Sequence, residues 1–350
     1  MLYRILRPLL FTLDPERAHA LALSTLRAVH RAGLLPSVAA PQSAQVKLMG
    51  LRFANRVGLA AGFDKNGRYV DALGALGFGF IEVGTVTPRP QPGQDRPRLF
   101  RLPRAEALIN RMGFPNEGAD AVSARLVRRK FAGICGANIG KNALTPVDRA
   151  VDDYVAAFRT LAPCVDYVAI NVSSPNTRDL RSLQRVEPLQ RILDALLHER
   201  DRLRRQGVHR VPILVKLSPD LDEPALEAAA RLIRERQLDG VIATNTTVSR
   251  AGVGRLRFGN EAGGLSGAPL KPLAIRAIQT LRNALGGEIP IIGVGGVTSG
   301  EDARELMRAG ADLIQVYTGL VYRGPGLVRE LIEATSTPVD RVPAVGARRA

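Results

Sequence analysis

The chain is expected to fold as an α/β protein, a (β/α)8 TIM barrel with an N-terminal two-helix membrane-docking extension, and three observations predict this. Apolar segments of strand length alternate eight times with helical segments, the rhythm of a barrel rather than of an open sheet. Residues just past the apolar segments are glycines, amides, hydroxyls and lysines, which a barrel would gather at one mouth. The two breaks in the rhythm, Thr87 to Asn116 and Ser249 to Gly267, both follow strand segments and so should lie over that mouth as lids. A length of 350 residues also accommodates two domains, but one barrel with extensions fits it equally well.

At the N-terminus, Leu2, Ile5, Leu6 and Leu9 fall at helical spacing beside Arg4 and Arg7. A second helix opens at Asp14-Pro15-Glu16. Asp14 suits the N-cap, Pro15 the first helical position and Glu16 the positive end of the dipole. It runs to about Ala32 and stops at Gly33, and Pro36 to Pro41 reads as a linker. The apolar stretch is too short and too interrupted, by Pro8 and Asp14, for a signal peptide, and no run is long enough to cross a bilayer. A helical hairpin with apolar and basic faces fits docking on a membrane surface as well as packing on the barrel. The expected division is an extension over 1–40, a barrel over 41–340 and a tail over 341–350.

A hairpin is expected around Met49-Gly50. Strands then fall near Val57–Ala60, Phe80–Val83, Cys135–Ile139, Tyr167–Ile170, Pro212–Lys216, Gly240–Thr244, Pro290–Val294 and Leu313–Tyr317. Helices follow at about Tyr69–Leu76, Glu117–Lys130, Val151–Leu161, Pro188–Gln206, Pro224–Glu235, Leu270–Ala284, Gly300–Ala309 and Gly326–Ala334. Ser299 with Asp302 makes a capping box for the seventh.

The net charge of +16 rests on arginine, since lysine occurs only at 47, 65, 130, 141, 216 and 271. A GC-rich genome accounts for such a bias, and its physical consequence is attraction to anionic lipid, phosphate or nucleic acid. Cys135 and Cys164 cannot build a disulfide framework and lack metal-site spacing, and the histidines at 19, 30, 198 and 209 are scattered. No metal site is expected, and both cysteines read as reduced core residues.

The strand ends can be read together. Asn171, Ser173, Ser174, Asn176 and Thr177 surround Pro175, which stiffens the loop by fixing its own φ and restricting Ser174. Alone this is an ordinary turn; with other polar strand ends it suits a flat, hydrogen-bonding ligand. Ala60 to Gly67 brings small residues and Lys65; Glu82, Thr85 and Asn138 follow, with Asn110 to Phe114 on the first lid. Lys216 ends the fifth strand and Thr244-Asn245-Thr246 the sixth. A lysine there is a catalytic amine, a counter-ion or a surface charge; ending an apolar strand favours Lys216 as a ligand partner, with Lys65 the weaker case. Gly293-Val294-Gly295-Gly296 with Thr318-Gly319 matches the usual barrel phosphate site, though it is no dinucleotide fingerprint. A pocket without a catalytic histidine, metal cluster or carboxylate pair points to a cofactor for the hard step.

These motifs, Ala60 to Gly67, Asn110 to Phe114, Asn171 to Thr177 and Thr244 to Thr246, with Asp14 to His19 at the N-terminus, resemble dihydroorotate dehydrogenase of the quinone-reducing, membrane-associated class, over essentially the whole chain. The resemblance implies FMN held by Ala60, Ala61, Gly62, Phe63, Asp64, Thr85, Asn138, Asn171, Lys216, Thr244, Gly267, Gly296, Tyr317 and Thr318, with its phosphate at Gly296 and Thr318. Lys216 would stand near the flavin ring. Lys65, Asn110, Arg111, Met112, Gly113, Phe114, Asn171, Asn176, Asn245 and Thr246 match substrate positions, the amides suiting a pyrimidine edge and Lys65 a carboxylate. Ser174 matches the base that removes the C5 proton of dihydroorotate as hydride leaves C6 for the flavin. A serine is a poor base, so Thr177 and a water near Phe114 are expected to relay the proton.

The soluble classes resemble a cysteine at the Ser174 position and lack the extension, so the resemblance further implies ubiquinone or menaquinone as final acceptor, in pyrimidine (UMP) biosynthesis. It implies a monomer bound peripherally to the cytoplasmic face of the cell membrane, with quinone entering between the N-terminal helices and no nucleic-acid partner. A soluble, fumarate-dependent member of the family, an FMN barrel reducing uridine in tRNA, and a non-catalytic phosphate-binding barrel are the rivals. The chain shows neither an added RNA-binding domain nor a cysteine in an active-site loop, which the tRNA enzyme would need.

Overall fold

The computed structural model describes residues 2–35 and 44–337. The expected linker at 36–41 and tail at 341–350 lie outside the described residues. The extension is α1 (Leu2–Thr12) followed by α2 (Pro15–Arg31). Asp14 caps α2 as expected, accepting from the amides of Glu16 and Arg17 at 3.1 and 3.0 Å, with Pro15 in the first turn. Met49 and Gly50, both at positive φ, turn the antiparallel hairpin of β1 (Val46–Leu48) and β2 (Leu51–Phe53).

Strand–helix alternation then begins with β3 (Val57–Leu59), α3 (Val70–Gly74) and β4 (Phe80–Val86). The first insertion carries β5 (Leu99–Leu102) and β6 (Ala107–Asn110) before α4 (Ala119–Leu126). Next come β7 (Ile134–Ile139), α5 (Ala150–Leu161), β8 (Tyr167–Asn171), α6 (Val186–Arg205), β9 (Ile213–Leu217), α7 (Glu223–Glu235) and β10 (Gly240–Ala243). The second insertion returns as β11 (Gly264–Gly267), followed by α8 (Lys271–Leu285), β12 (Ile291–Val294), α9 (Gly300–Arg308) and β13 (Leu313–Val316). Helices α10 (Thr318–Arg323) and α11 (Gly326–Ser336) complete the described chain. The eight expected strands close into a parallel barrel in the order β10-β12-β13-β3-β4-β7-β8-β9.

Three departures from expectation have local causes. The lids are not plain loops: β5, β6 and β11 form a three-stranded antiparallel sheet. The helix expected from Glu117 starts at Ala119, because side chains of Asn66 and Asn116 take the amides of Glu117 and Gly118 at 3.0 and 2.8 Å. It ends early, and Asp71 accepts from the amides of Lys130 and Phe131 beyond it. Ser299 accepts from the Asp302 amide at 3.2 Å as its capping role requires, but the Asp302 carboxylate returns to Thr298 rather than to Ser299, so the box is half formed.

Inside the barrel the side chains are layered. At the floor Phe53 of the hairpin meets Phe80 edge to face at 5.4 Å, and Leu214, Ile242, Ile292 and Leu313 join them. A side chain at Gly136 would collide with the Tyr167 ring, its Cβ only 2.1 Å away, so glycine there makes room for the aromatic. Two residues further along β4 and β13 the inward positions become Glu82 and Gln315, both fully buried. The apolar floor thus supports a polar layer, and the functional cleft opens above it.

Candidate active site

A cleft with about 1050 Å³ of empty space, its open mouth included, lies at the C-terminal ends of the strands. Of the residues anticipated from sequence, its walls include Ala60, Ala61, Gly62, Lys65, Thr85, Asn110, Met112, Gly113, Phe114, Asn171, Ser174, Asn176, Lys216, Thr244, Asn245, Thr246, Gly267, Gly296, Tyr317 and Thr318. Phe63, Asp64, Arg111 and Asn138 are not among the walls. Asp64 is buried and accepts from the amides of Arg68 and Tyr69 at 2.9 and 2.7 Å, fixing the turn after β3. Arg111 turns away to pair with Glu261 at 2.7 Å and cover the Phe100 ring. Asn138 sits below, donating to Glu82 and accepting from Thr85 and Asn171.

The four anticipated amides come together in two pairs. Asn176 donates to the Asn110 side chain at 3.0 Å, and Asn245 donates to that of Asn171 at 3.1 Å. Asn245 also donates to Ser173 Oγ at 3.0 Å, and the Tyr154 hydroxyl, buried under the loop, donates to the Asn171 carbonyl at 2.8 Å. Ser174 is buried on the same loop, its Oγ accepting from the Asn176 amide at 3.3 Å. Thr177 Oγ1 and Asn176 Oδ1 are buried without a hydrogen-bond partner, as is Gln315 Oε1. Burial of an unpaired polar atom is costly, so such atoms await a ligand or water.

The strip from Met112 to Phe114 follows β6, with Gly113 and Phe114 in the left-handed region at φ 68° and 54°. The left-handed φ of Gly113 favours glycine there, and a Cβ would also press on Gln94, 2.8 Å from its Cγ and 3.1 Å from its backbone nitrogen. Side-chain amides that sequence reading missed anchor this strip from behind. Gln91 donates to the Gly113 carbonyl and Asn116 to the Phe114 carbonyl, both at 2.9 Å, and Asn142 donates to Gln91 at 2.9 Å. Nothing in the local sequence separates these residues from ordinary loop polars; only the fold brings Asn142 of the β7 loop to the first lid.

At the other end of the cleft the backbone is bare. Gly295 and Gly296 have φ of 132° and 76°, and a Cβ on Gly296 would stand 2.6 Å from Lys271 Cα. Ser266 and Thr318 share a hydrogen bond at 2.8 Å beside them. Exposed amides and hydroxyls of this kind suit a phosphate. With Lys216 and Thr244 along the cleft and the unpartnered Gln315 Oε1 at its base, the residues fit a phosphate-bearing flat cofactor such as FMN.

Burial lowers the Lys216 pKa, and the Glu82 carboxylate, 3.8 Å from Nζ, opposes the shift. Burial also brings the Lys65 pKa down to about 8, with Glu16 opposing and Arg98 assisting, while Nζ donates to the Gly62 carbonyl at 2.7 Å. On the extension side, His19 Nε2 donates to the Phe63 carbonyl, 2.8 Å away, and the two rings meet edge to face. Phe63 in turn meets Tyr317 of the cleft wall at 5.3 Å. Burial and the charge of Lys65 push His19 down to about 4. Arg98, nearly buried, pairs with Glu16 of α2 at 3.0 Å. Sequence reading did not assign His19, Glu16 or Arg98 to the site, since Glu16 meets Arg98 across 82 residues of chain and His19 meets Phe63 across 44.

Fold and site define a (β/α)8-barrel enzyme that works at the carboxyl ends of its strands. A sequence model of the dihydroorotate dehydrogenase family matches residues 43–337. A relative from Chromobacterium violaceum, "Dihydroorotate dehydrogenase (quinone)", is 53% identical over 337 residues, covering 96% of this chain and 98% of its own. One of the same name from Methylobacillus flagellatus is 53% identical over 332 residues, 95% of this chain and 98% of its own. The crystal structure of DHODH in complex with ferulenol from Eimeria tenella superposes with a TM-score of 0.85 at 37% identity, covering 92% of this chain and 90% of that one. The chain belongs to the dihydroorotate dehydrogenase family, in its quinone-dependent class.

Proposed function

We propose that the cleft holds FMN along its glycine end and dihydroorotate beneath the lid sheet, with Ser174 between them as the catalytic base. The enzyme oxidises dihydroorotate to orotate in pyrimidine biosynthesis, with a quinone as final electron acceptor. FMN, when bound, supplies the hydride acceptor. The observation that carries the site assignment is the grouping of two amide pairs, Lys65 and Ser174 around one cleft whose far end is bare glycine backbone. The amides of Asn110, Asn171, Asn176 and Asn245 match a pyrimidine edge, and the Lys65 ammonium answers the substrate carboxylate. Asn171 is placed to serve cofactor and substrate together.

Ser174 Oγ takes the C5 proton. A serine hydroxyl is too weak a base to keep it, and Thr177 Oγ1, buried with no partner in the fold, is the residue available to pass it on through a water beside Phe114. Tyr317 closes the cleft towards the extension, and His19, Phe63 and Arg98 line the approach from α2.

The extension, residues 1–40, acts as the membrane-facing unit of the 41–340 barrel. Tyr3 and Arg7 donate to the Val321 and Tyr322 carbonyls, and Arg101 donates to that of Leu13 at 2.8 Å, so the helices are fastened to the barrel through polar bonds. Ala18 and Leu23 of α2 are buried against the barrel, but another set of apolar side chains faces out: Ile5 is 74% exposed and Leu9 67%, with Leu6, Leu13 and Leu21 beside them and Leu34, just past α2, at 73%. No described helix is long and apolar enough to cross a membrane. The pattern fits peripheral docking, on the cytoplasmic face of the cell membrane, of a monomer whose site is built from one chain. Ser174→Ala tests the assignment: FMN content stays at the wild-type level while flavin reduction by dihydroorotate slows at least a hundredfold. Reduction at an unaltered rate would remove Ser174 from the chemistry.

A further inference from the structure

Glu82 lies on the barrel axis beneath the cleft, fully buried, two residues beyond the floor residue Phe80 on the inward face of β4. Its Oε2 accepts from the Tyr167 hydroxyl and from Gln315 Nε2, both at 2.9 Å, and its Oε1 accepts from Asn138 Nδ2 at 2.9 Å. Three neutral donors thus converge on one carboxylate in a position where an apolar side chain would pack at no electrostatic cost. Neutral donors solvate a charge without balancing it. Among the described residues the cation paired with Glu82 is Lys216, whose Nζ lies 3.8 Å from Oε1. That separation is an ion pair but exceeds hydrogen-bond length, so Glu82 supports the ammonium without occupying its N–H donors. Lys216 stands one layer higher, buried in the cleft wall.

We propose that Glu82 is a positioning residue that keeps Lys216 charged beneath the flavin and thereby sets how much more tightly the protein binds reduced than oxidised FMN. The inference rests on the reading of Lys216 as the flavin's cationic partner. Burial alone would drive Lys216 towards its neutral amine, and the Glu82 carboxylate opposes it. The reduced flavin is an anion, so the ammonium stabilises it over the neutral oxidised form. Glu82 itself is fully buried and not part of the cleft wall, whereas Lys216 is, so it acts through Lys216.

The test is the midpoint potential of protein-bound FMN in the holoenzyme without substrate, in the wild type, Glu82→Gln, Lys216→Met and the double variant. Glu82→Gln is expected to lower the preference for reduced FMN at least tenfold, a fall of about 30 mV for a two-electron couple. Lys216→Met should lower it at least as far, and the double variant should match Lys216→Met because the two act as one unit. A Glu82→Gln potential raised, or within threefold of wild type, with Lys216→Met lowered, would show that Lys216 keeps its charge without Glu82 and overturn the proposal. An unchanged Lys216→Met potential would instead refute the reading of Lys216, and the proposal with it. Should Glu82→Gln fail to retain FMN, a Lys65→Met holoenzyme, which lacks the cleft ammonium that titrates at about 8, decides. Between pH 7.5 and 9.5 its potential should fall by about 30 mV per unit, the two-electron, one-proton slope, without a break, and a break there, marking loss of the Lys216 proton, would overturn the proposal.

Discussion

Lys65 allows the substrate assignment to be worked out quantitatively. Its ammonium donates to the Gly62 carbonyl at 2.7 Å and has two further N–H bonds on a side chain that lines the cleft. A hydrogen bond between charged partners contributes roughly 1.5–3 kcal/mol. Lys65→Met should therefore lower kcat/KM for dihydroorotate by about 10- to 150-fold at pH 7. Most of the loss should fall in KM, because the carboxylate is equally charged in substrate and product. The pH profile gives a second handle. Burial holds the Lys65 pKa at about 8, so the group is protonated and binding-competent below that pH and loses its charge above it. Wild-type kcat/KM should fall about tenfold per pH unit beyond about 8, and this limb should vanish in Lys65→Met. Steady-state rates from pH 6.5 to 9.5 measure both effects. A kcat/KM for Lys65→Met within threefold of wild type, or a wild-type profile flat to pH 9.5, would refute the assignment.

Three other outcomes follow from the same geometry. Thr177→Val should slow anaerobic flavin reduction by about a hundredfold or more with dihydroorotate affinity unchanged; stopped-flow traces at the wild-type rate would exclude the relay. The double change Ile5→Glu with Leu9→Glu should abolish sedimentation with anionic vesicles, since each buried aliphatic side chain contributes about 1.5–3 kcal/mol, and should spare reduction of a short-chain, water-soluble quinone. Undiminished vesicle binding would place the docking face elsewhere. His19, with its pKa depressed to about 4, contributes stability above the ordinary histidine range that is lost as pH falls from about 6.5 towards 4. Between pH 7 and 5 the wild type should lose about 1 kcal/mol more than His19→Gln in urea unfolding, a figure already reduced for partial exposure, and equal losses would show that His19 is not held neutral.

The barrel was legible because its strands are apolar blocks of the right length and its helices carry start and stop residues such as Asp14 and Ser299. The lid sheet was not, since β11 is Gly-Leu-Ser-Gly, which reads as a turn until β6 supplies its partner. The same limit hid the polar layer. Glu82 and Lys216 stood out among the polar strand ends, but strands buried on both faces show no alternation, so their convergence with Tyr167 and Gln315 on one axis did not. Yet Glu82 and Gln315 each interrupt an apolar strand two residues beyond a floor residue, Phe80 and Leu313, and a period-two reading could have found them. At the site, motifs located the segments but could not say which side chains in a contiguous run face the cleft. Lys65 does while Asp64 turns back on its own loop; Met112 does while Arg111 pairs with Glu261.

An anaerobic spectrum of the purified protein, recorded alone, after dihydroorotate and again after quinone, tests cofactor, substrate and acceptor together. The expected result is an oxidised flavin spectrum that bleaches with dihydroorotate and returns with quinone, each half-reaction seen in turn. Bleaching reversed by fumarate but not by quinone would contradict the assigned acceptor, and a protein that stays colourless after incubation with FMN would contradict the site itself.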